Sequence, residues 1–154
     1  MNIDLTVEQY VRLLKMLYLG TWMTDAFNAE PSGEFDDLEQ YMLSLAKEAG
    51  LDGHVAYDEE KKTYSYTGEF EKSSNVTQII NQYDEDVFWY ELTHRMAKRD
   101  FVRAHGAAMI GKMSILERFE LEDQYIKWYE DEFGTNGIEN LAVVDMTRMP
   151  GVNE

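Results

Sequence analysis

Leu51-Asp52-Gly53-His54-Val55-Ala56-Tyr57-Asp58-Glu59-Glu60-Lys61-Lys62-Thr63-Tyr64-Ser65-Tyr66-Thr67 is the stretch at which the hydrophobic period of this chain changes. Val55 and Tyr57 alternate with polar neighbours. Asp58 to Lys62 is charged and turn-like, and Thr63 to Thr67 is rich in strand formers. This pattern predicts a β-hairpin near 55–67. A lone hairpin is marginal in water and must pack on something else. On both sides of it, apolar residues recur at three- and four-residue steps. The sequence therefore predicts a mainly α (α+β), helical bundle-like domain of about five to six helices with one small hairpin.

Upstream, Thr6 and Gln9 form a capping-box signature, followed by Val7, Tyr10, Val11, Leu14, Leu17, Tyr18 and Trp22 at helical spacing. A first helix is expected to reach about Phe27. Pro31-Ser32-Gly33 interrupts it, and Phe35, Leu38, Met42, Leu45 and Ala49 then give a second stripe closed by Gly50. The pair reads as an αα-hairpin.

Downstream, Val76, Ile79, Ile80 and Tyr83 suit a short helix over 75–83, and Asp84 is placed to cap a longer one carrying Val87, Trp89, Tyr90, Leu92, Met96 and Ala97. Asp100 falls inside the apolar arc of that helix, where an unpaired carboxylate is costly. It is therefore read as a break and a new cap, with Phe101 to Met113 in a separate helix. Ser114 and Glu117 make another capping box, opening a helix expected to turn Ile115, Phe119, Ile126, Tyr129 and Phe133 inward and to end at Gly134. Ile138 to Val144 reads as a short apolar segment. With no repeat or linker, one domain over 1–148 and a loose tail over 149–154 are expected.

Composition narrows the function classes. Zero cysteines exclude disulfides and thiolate chemistry. No run approaches the roughly 20 apolar residues of a membrane span. Met1-Asn2-Ile3-Asp4-Leu5 does not resemble a secretory or transit segment, so a cytoplasmic protein is expected. A hydrophobic content of 44%, with 13% aromatic residues, is too high for a disordered chain. The net charge of −16 opposes direct binding to nucleic acid or an anionic membrane.

That charge is uneven. Residues 1–50 hold 9 acids and 3 bases, 51–84 hold 7 and 3, 85–113 hold 4 and 5, and 114–154 hold 10 and 3. The slightly basic centre contains Arg95, Lys98, Arg99 and Arg103, which share one arc of a continuous helix. They are candidates for binding an anion or a partner. The competing reading pairs them internally with Glu120, Asp123, Glu130, Asp131 and Glu132 of the acidic helix that follows, and it is favoured because the overall negative field repels anions.

Gly106-Ala107-Ala108-Met109-Ile110-Gly111-Lys112 matches seven positions of a phosphate-binding loop, but Met113 stands where a magnesium-binding hydroxyl belongs. Neither a leading strand nor a strand-helix alternation accompanies it, so Leu141-Ala142-Val143-Val144-Asp145 does not complete a nucleotide site. Glu91-Leu92-Thr93-His94 has the spacing by which a helix offers two ligands to a carboxylate-bridged metal pair. It occurs once, where such a centre needs it twice.

Phe88-Trp89-Tyr90 and Trp128-Tyr129 set adjacent rings on diverging directions, so some must lie at a rim. Trp89, Tyr90, Trp128 and Tyr129 are the aromatic contact candidates. The resulting expectation is an acidic protein-binding or regulatory module. It acts on a partner with a basic surface or associates with itself, has no catalytic residue or cofactor assigned, and is a binding protein rather than an enzyme. The alternative is a metal-binding or enzymatic helical bundle using Glu91 and His94.

Overall fold

Thr6 and Gln9 exchange the two hydrogen bonds that their spacing predicts: the Thr6 amide donates to Oε1 of Gln9 at 2.9 Å, and the Gln9 amide donates to Oγ1 of Thr6 at 3.2 Å. They start helix α1, Val7–Asp25. A computed structural model of the chain describes residues 3–27, 33 and 35–142. Among these the order is α1, α2 (Asp36–Ser44), β1 (Val55–Asp58), β2 (Thr63–Tyr66), α3 (Gly68–Ser74), α4 (Val76–His105), α5 (Ala107–Ile110) and α6 (Ile115–Asn136). The chain is thus mainly α with one small antiparallel hairpin, as its periodicity predicts. None of the described helices is long and apolar enough to cross a membrane. Pro31-Ser32, Val143 to Asp145 and the tail over 149–154 lie outside the described residues.

The chain divides into two compact units between Asp84 and Glu85. In the first, Tyr10, Leu14, Leu43, Ala46, Leu51, Phe70 and Val76 form the buried core. Leu43 and Ala46 are not on the expected stripe, and Phe35 and Leu38 are exposed. The reason is local. Helix α2 ends at Ser44, and the amides of Leu45 and Ala46 bond three residues back, to Met42 at 3.2 Å and Leu43 at 3.1 Å. That tighter winding turns Ala46 inward beside Leu43, which lies within α2, while Met42, Leu45 and Ala49 of the expected stripe pack against the same core.

The hairpin pairs Val55 with Tyr66 and Tyr57 with Tyr64. Its turn is built by Asp58, whose Oδ1 accepts from the amides of Glu60 and Lys61, both at 3.0 Å, and by Lys62 at a positive φ of 56°. Gln40 of α2 clamps β2 from outside. Its Nε2 donates to the Tyr64 carbonyl at 2.9 Å, and its Oε1 accepts from the Tyr64 amide at 2.6 Å. Tyr10 donates its hydroxyl to the Met42 carbonyl, which ties α1 to α2. Thr67 then caps α3, accepting from the Phe70 amide at 3.2 Å.

Helix α4 runs unbroken for 30 residues, so neither Asp84 nor Asp100 interrupts it. In the second unit Ala97, Tyr129 and Phe133 are buried together, with Trp89, Leu92, Met96, Tyr125 and Ile126 packed around them. Helix α6 passes Gly134 and stops at Asn136, where Gly137 takes a φ of 56° and donates its amide to the Phe133 carbonyl. Ile115 and Phe119, expected inward, are 91% and 68% exposed. Helix α4 ends at His105, which lies against Tyr125, so the first turns of α6 extend past it. The segment resembling a phosphate-binding loop is Gly106, the four-residue α5 and a turn, reached from helix α4 and not from a strand.

Candidate functional site

The basic island lies on the solvent-facing side of α4, and most of it is engaged. Arg95 donates to Glu91 one turn back at 2.9 Å. Arg99 grips Asp100 with two bonds, Nε to Oδ1 at 2.7 Å and Nη2 to Oδ2 at 2.8 Å. Arg103 reaches the same carboxylate at 3.4 Å. The buried Tyr129 of α6 donates its hydroxyl to Oδ2 of Asp100. Lys98 makes no ion pair among the described residues.

Asp100 thus has three donors. The Arg99 hydrogen bonds, then the Tyr129 hydroxyl and the charges of Arg99 and Arg103, hold its carboxyl well below the usual carboxylate range against the opposing effect of its burial. Burial, reinforced by the bond to Asp100, raises the Tyr129 phenol above its ordinary value. The internal partners of the island are therefore Glu91 and Asp100 of its own helix, not the acids of α6. On α6, Asp123 pairs with Lys127 at 2.5 Å and Glu132 accepts from Asn140 at 2.6 Å. Glu130 stays exposed.

The four aromatic candidates separate into two kinds. Tyr129 is buried and Trp89 half-buried, the latter donating Nε1 to Glu85 at 3.1 Å. Tyr90 is 61% and Trp128 59% exposed. Trp128 stands edge-on to Tyr129, 4.7 Å between centroids.

Trp89, Tyr90, Thr93 and His94 of α4 face Glu130, Phe133 and Gly134 of α6 across a cleft of about 480 Å³. The rings supply apolar walls, with Trp89 and Phe133 5.9 Å apart and Tyr90 lying 4.0 Å from His94. Gly134 keeps one side open: a Cβ there would meet no atom within 4 Å. Three of the seven lining residues, Trp89, Tyr90 and His94, are site candidates of the sequence reading, which gives Glu130, Phe133 and Gly134 other roles. Thr93, Glu130, Phe133 and Gly134 join them only through the antiparallel register of the two helices. Three- and four-residue spacing puts Trp89 with Thr93, and Glu130 with Phe133 and Gly134, on common faces of their own helices, but no sequence signal gives the register between the two.

Glu91 and His94 share a helix face, but each has another engagement. Glu91 holds Arg95, and Nδ1 of His94 lies 2.8 Å from the Tyr90 carbonyl. A carbonyl only accepts, so Nδ1 is the donor in this contact. Among the described residues, no three His, Cys, Asp or Glu side chains gather as a metal site would require.

Compared with protein-family models, curated proteins and solved structures, the chain matches none; the chemistry open to it is what its own side chains supply.

Proposed function

We propose that this chain is a small, cytoplasmic, acidic protein-binding module that acts on a partner with a basic surface. The observation that carries the reading is the α4–α6 cleft, where Trp89, Tyr90 and Phe133 give aromatic surface and Glu130 an exposed carboxylate. Exposed aromatic side chains offer large contact area at low entropic cost, and nearby carboxylates select cationic partners and speed encounter. A net charge of −16 favours the same partners. An anionic ligand on the basic island is less well supported, because Arg95, Arg99 and Arg103 already hold carboxylates.

The test is a titration of the purified chain with a lysine-rich protein at low and physiological salt. Saturable binding that weakens as salt rises, and that Tyr90→Ala together with Glu130→Gln weakens at least about tenfold, is the expected result. No binding at low salt would reject the reading.

Self-association is a second reading, favoured by Ile115, Leu116 and Phe119, which expose an apolar end of α6. Light scattering across a concentration series tests it, and a monomer throughout would remove it.

A further inference from the structure

Tyr18, Thr21 and Trp22 of α1, Glu39 of α2 and Tyr66 of β2 line a cleft of about 240 Å³ in the first unit. The rings of Tyr18 and Tyr66 stand 5.0 Å apart at 78°, so two of its aromatic walls meet nearly at a right angle. Glu39 belongs to the same cleft. Its Oε1 accepts from the Thr21 hydroxyl at 3.2 Å and the Tyr66 hydroxyl at 3.0 Å. These donors fix the carboxylate without neutralising it. Among the described residues, the ion pairs of this unit are Arg12 with Glu8 and Lys61 with Asp58, and Glu39 has no cation.

We propose that this cleft receives the ammonium group of a lysine side chain on a partner protein, with Glu39 as counter-charge and Tyr18, Trp22 and Tyr66 as aromatic walls. Aromatic faces attract cations, most strongly where water is partly excluded. An anion would be repelled by Glu39, and a neutral apolar guest would desolvate that carboxylate without pairing it. The volume admits an ammonium with part of its alkyl stem. Burial, and then the charge of Glu39, hold the Tyr66 phenol far above its ordinary value, so Tyr66 remains a neutral donor that keeps the carboxylate in place. The inference deepens the basic-partner reading by naming the side chain taken, and it rests on that reading for the partner being a protein.

The experiment follows the Trp22 indole N–H signal by NMR in the full chain, assigned by Trp22→Phe. The probes are the N-acetyl methylamides of lysine and trimethyllysine, a neutral tert-butyl isostere of trimethyllysine, and choline. Saturable shifts of Trp22 with both lysine probes, at least about tenfold weaker binding of the isostere, and a similar loss in Glu39→Gln are expected. Gln keeps the acceptor for Thr21 and Tyr66, and the isostere comparison uses the unaltered protein, so neither arm depends on a variant that fails to fold.

Equal response to the isostere would make the cleft merely apolar and overturn the proposal. A response to choline alone would assign it to a small molecule and overturn it too. A silent Trp22 in a chain that still binds a lysine-rich protein would overturn the cleft and leave the module reading standing. A responsive Trp22 with no binding of basic proteins would retain a lysine-ammonium site, reject the module reading and overturn the assignment to a protein partner.

Discussion

The hydroxyl of Tyr129 on α6 donates to the Asp100 carboxylate on α4, across 29 residues of sequence. That bond, with Arg99 and Arg103, allows a charge to lie at the edge of a hydrophobic interface without breaking its helix. Removing the acceptor leaves the buried Tyr129 hydroxyl with no acceptor for its proton, and Arg99 and Arg103 without that counter-charge. Asp100→Ala is expected to cost about 1–3 kcal/mol in chemical denaturation. Tyr129→Phe, which removes the donor to Asp100 and a longer bond accepted from Nη2 of Arg99 at 3.3 Å, should cost about 1 kcal/mol.

The same carboxylate sets a pH dependence. Its pKa is depressed in the folded state, so its stabilisation is present above the unfolded-state value of about 3.9 and is lost as pH falls toward the lower folded value. The stability gap between the wild type and Asp100→Asn should therefore be constant above about pH 5 and shrink in more acidic solution. A gap independent of pH down to the acid transition would show that Asp100 contributes nothing through its charge.

Phe101 and Phe119 separate burial from hydrophobicity. Phe101 is among the largest fully buried side chains, whereas Phe119 is mostly exposed. Phe101→Ala should cost about 3–5 kcal/mol, and Phe119→Ser in a monomer should change stability by no more than about 0.5 kcal/mol. Thermal melts of the two variants decide it.

Gly134 lies within α6, where glycine costs about 0.5–1 kcal/mol relative to alanine. A methyl group there meets no neighbouring atom. Gly134→Ala should raise the melting temperature, and Gly134→Leu should fill the α4–α6 cleft and weaken binding of a lysine-rich protein while leaving the chain folded. Unchanged binding in the leucine variant would move the contact surface elsewhere.

The features legible in the sequence are those made by nearby residues. Thr6 with Gln9, the Ser114 cap, whose hydroxyl accepts from the Glu117 amide at 3.2 Å, and the Asp58 turn each use hydrogen bonds spanning three residues or fewer, so spacing alone reveals them. The continuity of α4 through Asp100 was not legible, because a partner of that carboxylate arrives from a distant helix. The inward face of the α2 segment was legible in part: Met42, Leu45 and Ala49 pack against the core, but Leu43 and Ala46 are more deeply buried, and no residue type marks the tighter turns that follow Ser44. The apolar stripe of α6 continues to Ile115 even though α4 no longer faces it, so periodicity reports the helix and not its neighbour. Two of the seven residues lining the α4–α6 cleft, Trp89 and Tyr90, were visible as adjacent aromatics. Bringing Glu130, Phe133 and Gly134 to them required the pairing of two helices, and the cleft around Glu39 likewise draws its residues from three elements.

Gln40 has a consequence beyond the packing of the hairpin. A strand edge with free amides and carbonyls is a template for another chain, and small sheets are most vulnerable because a larger share of their hydrogen-bonding groups lies on an edge. By occupying both backbone groups of Tyr64, one side-chain amide blocks the middle of the outer edge of β2, doing the work of a missing third strand. Gln40→Ala should therefore do more than loosen the hairpin by about 1–2 kcal/mol. It should uncover a tyrosine-bearing edge for strand addition, seen as faster amide exchange at Tyr64 and concentration-dependent aggregation under conditions in which the native chain stays dispersed.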